Sequence, residues 1–122
     1  MVEAAAATGQ EVLERMIKSD DGARRLGEVA LFPASSPISL SGLLFLNTLF
    51  DENAASHLAL GQAYKNCFVD GDTLSEDAFR ARGGNSNLIH VDWMIGSAQV
   101  DVDGLDAQGA AHPLMRSGEW VS

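Results

Sequence analysis

Turn-forming residues interrupt this chain so often that no long element can run through it. Asp20-Asp21-Gly22, the stretch 33-PASSPISLSG-42, residues 70 to 75, the cluster 83-GGNSN-87 and the glycines at 104 and 109 each break it. Gly, Pro, Asn, Asp and Ser favour turn geometry over helix or sheet. What lies between must fold as short pieces. Residues 3 to 18 are rich in the helix formers Ala, Glu, Leu, Met and Lys. Val12, Met16 and Ile17 recur there at helical spacing, with Leu13 beside them, which predicts one amphipathic helix or two short ones broken near Gly9. Ala23 to Leu26 is expected to add one helical turn. Glu28 to Phe32 reads as a strand that stops at Pro33, and 33 to 42 as a loop.

The run 43-LLFLNTLF-50 is apolar on nearly every side, so it is expected to be buried, as a strand or helix that periodicity does not resolve. His57 to Gly61 reads as a short strand. Ser75 is a suitable N-cap for a helix over Glu76 to Arg82. Leu88 to Ile95 predicts a strand. Val100 and Val102 alternate with Asp101 and Asp103 in another, Gly104 and Gly109 bracket turns, and 113-PLMRSGEW-120 forms the closing edge of a hairpin. The sum is an α+β fold, with an N-terminal helix followed by a mixed, mostly antiparallel sheet and short helices. A length of 122 residues predicts a single domain over 1-122.

Charge narrows the function classes. Seventeen acidic against eight basic residues give a formal net charge of -9. That argues against nucleic acid as a partner, because phosphate neutralisation needs basic patches, and against anionic membrane surfaces. It favours cationic partners, such as divalent metals or substrates with an amino group. Cys67 is the single cysteine, which excludes an internal disulfide and a thiolate cluster and reads as a small buried hydrophobe. The start, MVEAAAATGQEVLERM, has no cationic region leading into an apolar run, and no apolar stretch is long enough for a membrane helix. A cytoplasmic location is the expectation.

The chemistry-bearing residues lie in three stretches. In 88-LIHVDWMIG-96, His90 and Asp92 are two apart, so a strand would project both on one face. An imidazole beside a carboxylate suits a metal that accepts N and O ligands, and equally suits a histidine hydrogen-bonded for structure. In 50-FDENAASHLALG-61, Glu52 and His57 are five apart and converge only if the chain turns at 53 to 56; otherwise they are a helix-capping acid and a strand-edge histidine. Glu28 opens a strand after Gly27, as a ligand or as a solvated terminus. Together these offer three carboxylates and two imidazoles, a set able to hold two metals bridged by a carboxylate. Other motifs fall away. The stretch 101-DVDGLDAQG-109 resembles a calcium loop, but Leu105 stands at a ligand position. Residues 82 to 85 lack the Lys-Ser/Thr of a phosphate loop. His112, beside Pro113, reads as a surface histidine.

GEVALFPASSPISLSG, FLNTLFDENAASHLALGQAY and NLIHVDWMIGS, followed by DVDGLDAQG and RSGEWV, resemble consecutive segments of the M29 metallo-aminopeptidases. The resemblance covers nearly the whole chain, in order, and matches the C-terminal part of that family. It implies a metal-dependent aminopeptidase that hydrolyses N-terminal residues from peptide substrates at a two-metal site. The implied cofactors are two divalent metal ions, Zn or Co, with Mn or Mg as substitutes. Glu28 resembles the carboxylate that touches both metals, and Glu52, His57, His90 and Asp92 resemble further ligands. Tyr64 matches a catalytic tyrosine that orients substrate or stabilises an oxyanion. The family has another glutamate ligand upstream of residue 1, so a non-catalytic, metal-binding or oligomerising domain is the competing expectation. Apolar surface exposed at the run 43 to 50 and on the Ala-rich first helix predicts a homodimer or higher species.

Overall fold

The computed structural model describes residues 1–122 except Ala4, Ala5 and Ala7. The predicted helix over 3 to 18 therefore lies partly outside the described residues, and the helix that is seen, α1, runs Gln10–Ile17. It starts after Gly9, whose φ of 78° is left-handed and cannot continue a helix. Glu14 accepts from Lys18 at 2.9 Å and from Gln10 at 3.0 Å, pairs four residues apart that support one exposed face. Ile17 packs inward, 5 % exposed.

The chain's contacts fall into two compact units, Met1–Val29 with Leu58–Asp92, and Ala30–His57 with Trp93–Ser122. Three strands, Leu26–Ala30 (β1), His57–Gly61 (β2) and His90–Met94 (β3), form one sheet in the order β1-β2-β3. The expected helical turn at 23 to 26 is instead a turn that feeds β1. The cause is local: Asp20 Oδ1 accepts from Gly22 N at 2.8 Å and Ala23 N at 3.1 Å, which closes an Asx-type turn and buries Ala23. β1 accordingly begins at Leu26, two residues before Glu28, and ends at Ala30 rather than at Pro33.

In the first unit the apolar centre is Phe79, fully buried on the helix Glu76–Ala81. Ser75 Oγ accepts from Ala78 N at 3.2 Å, the predicted N-cap. Phe68 meets Phe79 edge-on with centroids 5.3 Å apart. Cys67, expected to be buried, is exposed. It sits in a short 3₁₀ turn, Lys65–Cys67, whose inward contact is supplied instead by Lys65, lying 5.8 Å over the Phe79 ring.

The second unit corrects two expectations. Residues 33 to 42 are not all loop, because Pro37–Ser41 is a helix, α2. Ser36 Oγ accepts from Ser39 N at 3.2 Å and Pro37 occupies the first turn, so Ser-Pro acts here as a helix start. The run 43 to 50 is exposed along its length in this chain, from Leu46 at 86 % to Phe45 at 42 %. Asp51 holds it open by accepting from Phe45 N at 2.8 Å and Asn47 N at 3.0 Å, and a short helix, Thr48–Asp51 (α3), follows. In chain order the helix Glu76–Ala81 is α4.

A second sheet, in the order β4-β5-β6, is formed by Val102–Leu105 (β4), Ala111–Arg116 (β5) and Glu119–Trp120 (β6), paired antiparallel. Gly104 lies inside β4 opposite His112, so only Gly109 marks the turn. Asp106 organises that turn, accepting from Gln108 N and Ala110 N at 2.9 Å and from His112 Nε2 at 3.0 Å. Ser117 and Gly118, both at positive φ, make the tight β5–β6 turn. Met115, 1 % exposed, is the buried apolar residue of this sheet.

Candidate metal centre

Strand geometry assembles a polar cluster in the first unit. Glu28 is half-buried on β1, and His90 and Asp92, two apart on β3, project to the same face. His90 Nε2 lies 3.2 Å from Glu28 Oε2 and 3.3 Å from Asp92 Oδ1. The carboxylate oxygens that Glu28 and Asp92 offer to a metal lie within 4.8 Å of each other. The Tyr64 hydroxyl stands 3.4 Å from the same Nε2, with the two rings tilted by 49° at 5.0 Å.

The His90 ring is set by the main chain. His90 Nδ1 donates to the Gln62 carbonyl at 2.7 Å, and a carbonyl can only accept. In the neutral ring, Nε2 is therefore the lone-pair nitrogen. Gln62 itself is fixed on all sides. Its N–H donates to Ile89 O at 2.7 Å, and its side-chain oxygen accepts from Asn87 N at 2.7 Å. The close approach that makes this possible passes through glycines. A Cβ at Gly61, φ 93°, would collide with the Ile89 carbonyl, and one at Gly27 would collide with the carbonyls of Gly61 and Gln62.

The residues fit a divalent metal. Two carboxylate oxygens facing a lone-pair nitrogen repel one another unless a cation or a proton lies among them. Asp92 Oδ1 is buried and receives no hydrogen bond, because its 3.3 Å approach to His90 has ion-pair distance without donor geometry. Buried oxygens without donors are uncommon. An imidazole whose second nitrogen donates to a backbone carbonyl is the usual support of a metal-binding histidine.

His57 and Glu52 belong to the second unit. His57 is 1 % exposed, donates from Nδ1 to Ala55 O at 3.0 Å, and stacks on Phe32 with centroids 5.8 Å apart and planes 10° from parallel. Its Nε2 is thus the lone-pair nitrogen too. Ser56 secures this stretch, with Oγ accepting from Phe32 N at 3.0 Å and donating to Phe32 O at 3.1 Å. Glu52 sits in a 3₁₀ turn, Glu52–Ala54, and among the described residues no hydrogen bond or ion pair engages its carboxylate. Sequence reasoning missed Gln62, Ser56 and Phe32. Gln62 acts through its carbonyl, which every residue possesses, so no sequence signal marks it.

The family model described as thermophilic metalloprotease (M29) matches residues 1–120. Aminopeptidase T of Thermus thermophilus is 60% identical over 120 residues, covering 98% of this chain and 29% of that protein. Aminopeptidase 2 of Geobacillus stearothermophilus is 53% identical over 121 residues, covering 99% and 29%. The solved structure of wild-type AmpT from Thermus thermophilus superposes with a TM-score of 0.81 at 58% identity, over 99% of this chain and 29% of that one. The chain thus spans under a third of the length of these relatives.

Proposed function

The chain belongs to the thermophilic metalloprotease family M29, and on that premise we propose that it supplies the metal-binding part of an aminopeptidase acting on peptide substrates. The observation that carries this reading is the placement of His90 Nε2 between the Glu28 and Asp92 carboxylates while its Nδ1 is committed to Gln62 O. Glu28, Glu52, His57, His90 and Asp92 are the proposed ligands of two divalent ions, zinc or cobalt, with manganese or magnesium as substitutes.

Ions held by these residues would supply Lewis-acid activation of a water and of a scissile carbonyl. The chain's own residues do the rest. Gln62 O holds the His90 ring in one tautomer, and Ala55 O does the same for His57. The Tyr64 phenol, half-exposed, is the proposed donor to an oxyanion forming on the substrate. The excess of carboxylates attracts the substrate's N-terminal ammonium. We take the chain to act as one domain, in the cytoplasm, as a homo-oligomer, without nucleic acid or membrane as partner. Among the described residues no helix is long and apolar enough to cross a membrane.

Calorimetric titration of the metal-free protein with Zn²⁺ or Co²⁺ tests the site. Wild type is expected to bind, and His90→Ala and Asp92→Ala to weaken binding at least about 100-fold, beyond the 10- to 100-fold typical of losing a supporting group. Release of p-nitroaniline from aminoacyl p-nitroanilides tests the activity. Unchanged metal affinity in both variants would overturn the site, and metal binding without hydrolysis would favour a non-catalytic domain.

A further inference from the structure

The second unit holds a cavity of about 300 Å³ that shares its walls with His57. Phe32, Ala34, Ala54, Ala55 and Ala98 line it, with the hydroxyl-bearing Ser39 and Ser97. Two of these walls are the groups that fix His57. Phe32 stacks on the imidazole at 5.8 Å, and Ala55 O accepts from Nδ1 at 3.0 Å. Whatever occupies the cavity therefore stands one residue's width from the ring. None of the lining side chains is ionisable, although the chain carries 25 Asp, Glu, Lys and Arg residues, 17 acidic and 8 basic. Five lining positions offer only a ring or a methyl group. Such a surface gains from burying apolar atoms and offers no opposite charge to an ionised side chain.

The walls are also firmly held. Ser56 binds both main-chain groups of Phe32, and Ser56 O accepts from Ile95 N at 2.9 Å and Gly96 N at 2.8 Å. Gly96 lies so close to Ser56 that a Cβ there would collide with Ser56 N. The cavity is thus built on backbone that cannot easily collapse, and its volume is at the lower end of what small-molecule pockets show.

We infer that this cavity receives the side chain of the substrate's N-terminal residue and selects uncharged, apolar side chains of the size of leucine, methionine or phenylalanine. The inference rests on the proposed function, in which His57 is a metal ligand and the N-terminal residue is the one held at the metals.

Two measurements test it independently. In the first, Gly-, Ala-, Leu-, Phe- and Lys-p-nitroanilides are compared with wild type, Ala98→Phe and Ala54→Val, each checked for folding by circular dichroism. Leu and Phe substrates are expected to exceed Gly by at least about tenfold in kcat/KM, given what each added methylene contributes in an apolar pocket. Ala98→Phe is expected to cut Leu and Phe about tenfold while leaving Gly and Ala within about twofold, and Ala54→Val to do the same more weakly. A folded variant that slows every substrate alike, or a wild type that prefers Lys, overturns the inference. If Ala98→Phe fails to fold, Ala54→Val decides. In the second, metal-free protein is heated with free L-leucine or glycine. A rise in Tm with leucine and not glycine, abolished in the cavity-filling variants, supports the cavity even if no substrate is hydrolysed, which would instead refute the proposed activity. No rise with leucine overturns the cavity.

Discussion

The smallest changes with large expected effects are at Gly61 and Asp20. Gly61 combines a positive φ with a wall of Ile89 carbonyl where a Cβ would go. Gly61→Ala is expected to lose of order 1–3 kcal/mol from backbone strain, more with the collision, and to misalign Gln62 and so His90. Urea unfolding reads the first and metal titration the second. Asp20 is different in kind. Partial burial pushes its carboxyl up, but the N–H groups of Gly22 and Leu88, the Asn87 amide and the N–H of Ala23 outweigh it and hold the pKa below the ordinary carboxylate value. The folded value lies below the unfolded one, so the stabilisation is fully present above about pH 4 and is lost as pH falls through the folded value. Thermal melts from pH 6 to 2 should show a fall in Tm below pH 4 that is shallower in Asp20→Asn, which should already be less stable at pH 6. Parallel curves would contradict this.

Among elements, α4 concentrates stability in one side chain. Phe79 is fully buried, and a Cβ at Gly84 would collide with its ring. Phe79→Ala is expected to cost about 3–5 kcal/mol, read as a shift in urea midpoint with little change in slope; a shift under 1 kcal/mol would mean the ring is not the packing centre. The same helix shows what a sequence discloses. Ser75 followed by helix formers is local information, and α4 and its cap were legible, as were β2, β3 and the β5–β6 hairpin. Where the deciding interaction was a side chain reaching back to the main chain, the reading failed. Asp20 made a turn where a helical turn was expected, Ser36 started α2 inside a predicted loop, and Asp51 held 43 to 50 open. Of the candidate site, the shared face of His90 and Asp92 followed from their spacing in a strand, and Glu28, Glu52 and His57 stood out only as candidates beside them, whereas Gln62 and Ser56 carried no signal. Their work is done by a carbonyl that all residues share and by a hydroxyl with many ordinary uses.

At the scale of the molecule, exposed Leu43, Leu44, Leu46 and Leu49 form a contiguous apolar run on a chain of net charge -9. Such runs mark association surfaces. Sedimentation velocity at micromolar concentration is expected to show self-association that Leu44→Glu with Leu46→Glu shifts toward monomer. A wild-type monomer would remove this expectation. Both proposed ligand imidazoles take their orientation from peptide carbonyls, Ala55 for His57 and Gln62 for His90. A point mutation can delete a carboxylate that steers a ring, but it cannot delete a peptide bond. The acceptors themselves therefore survive any substitution at 55 or 62, so long as the path of the backbone, which at 62 the side-chain bond to Asn87 N also holds, is inherited. What must be conserved there is a route rather than a residue, and the two glycines that admit that route are where its inheritance is most exposed to chance.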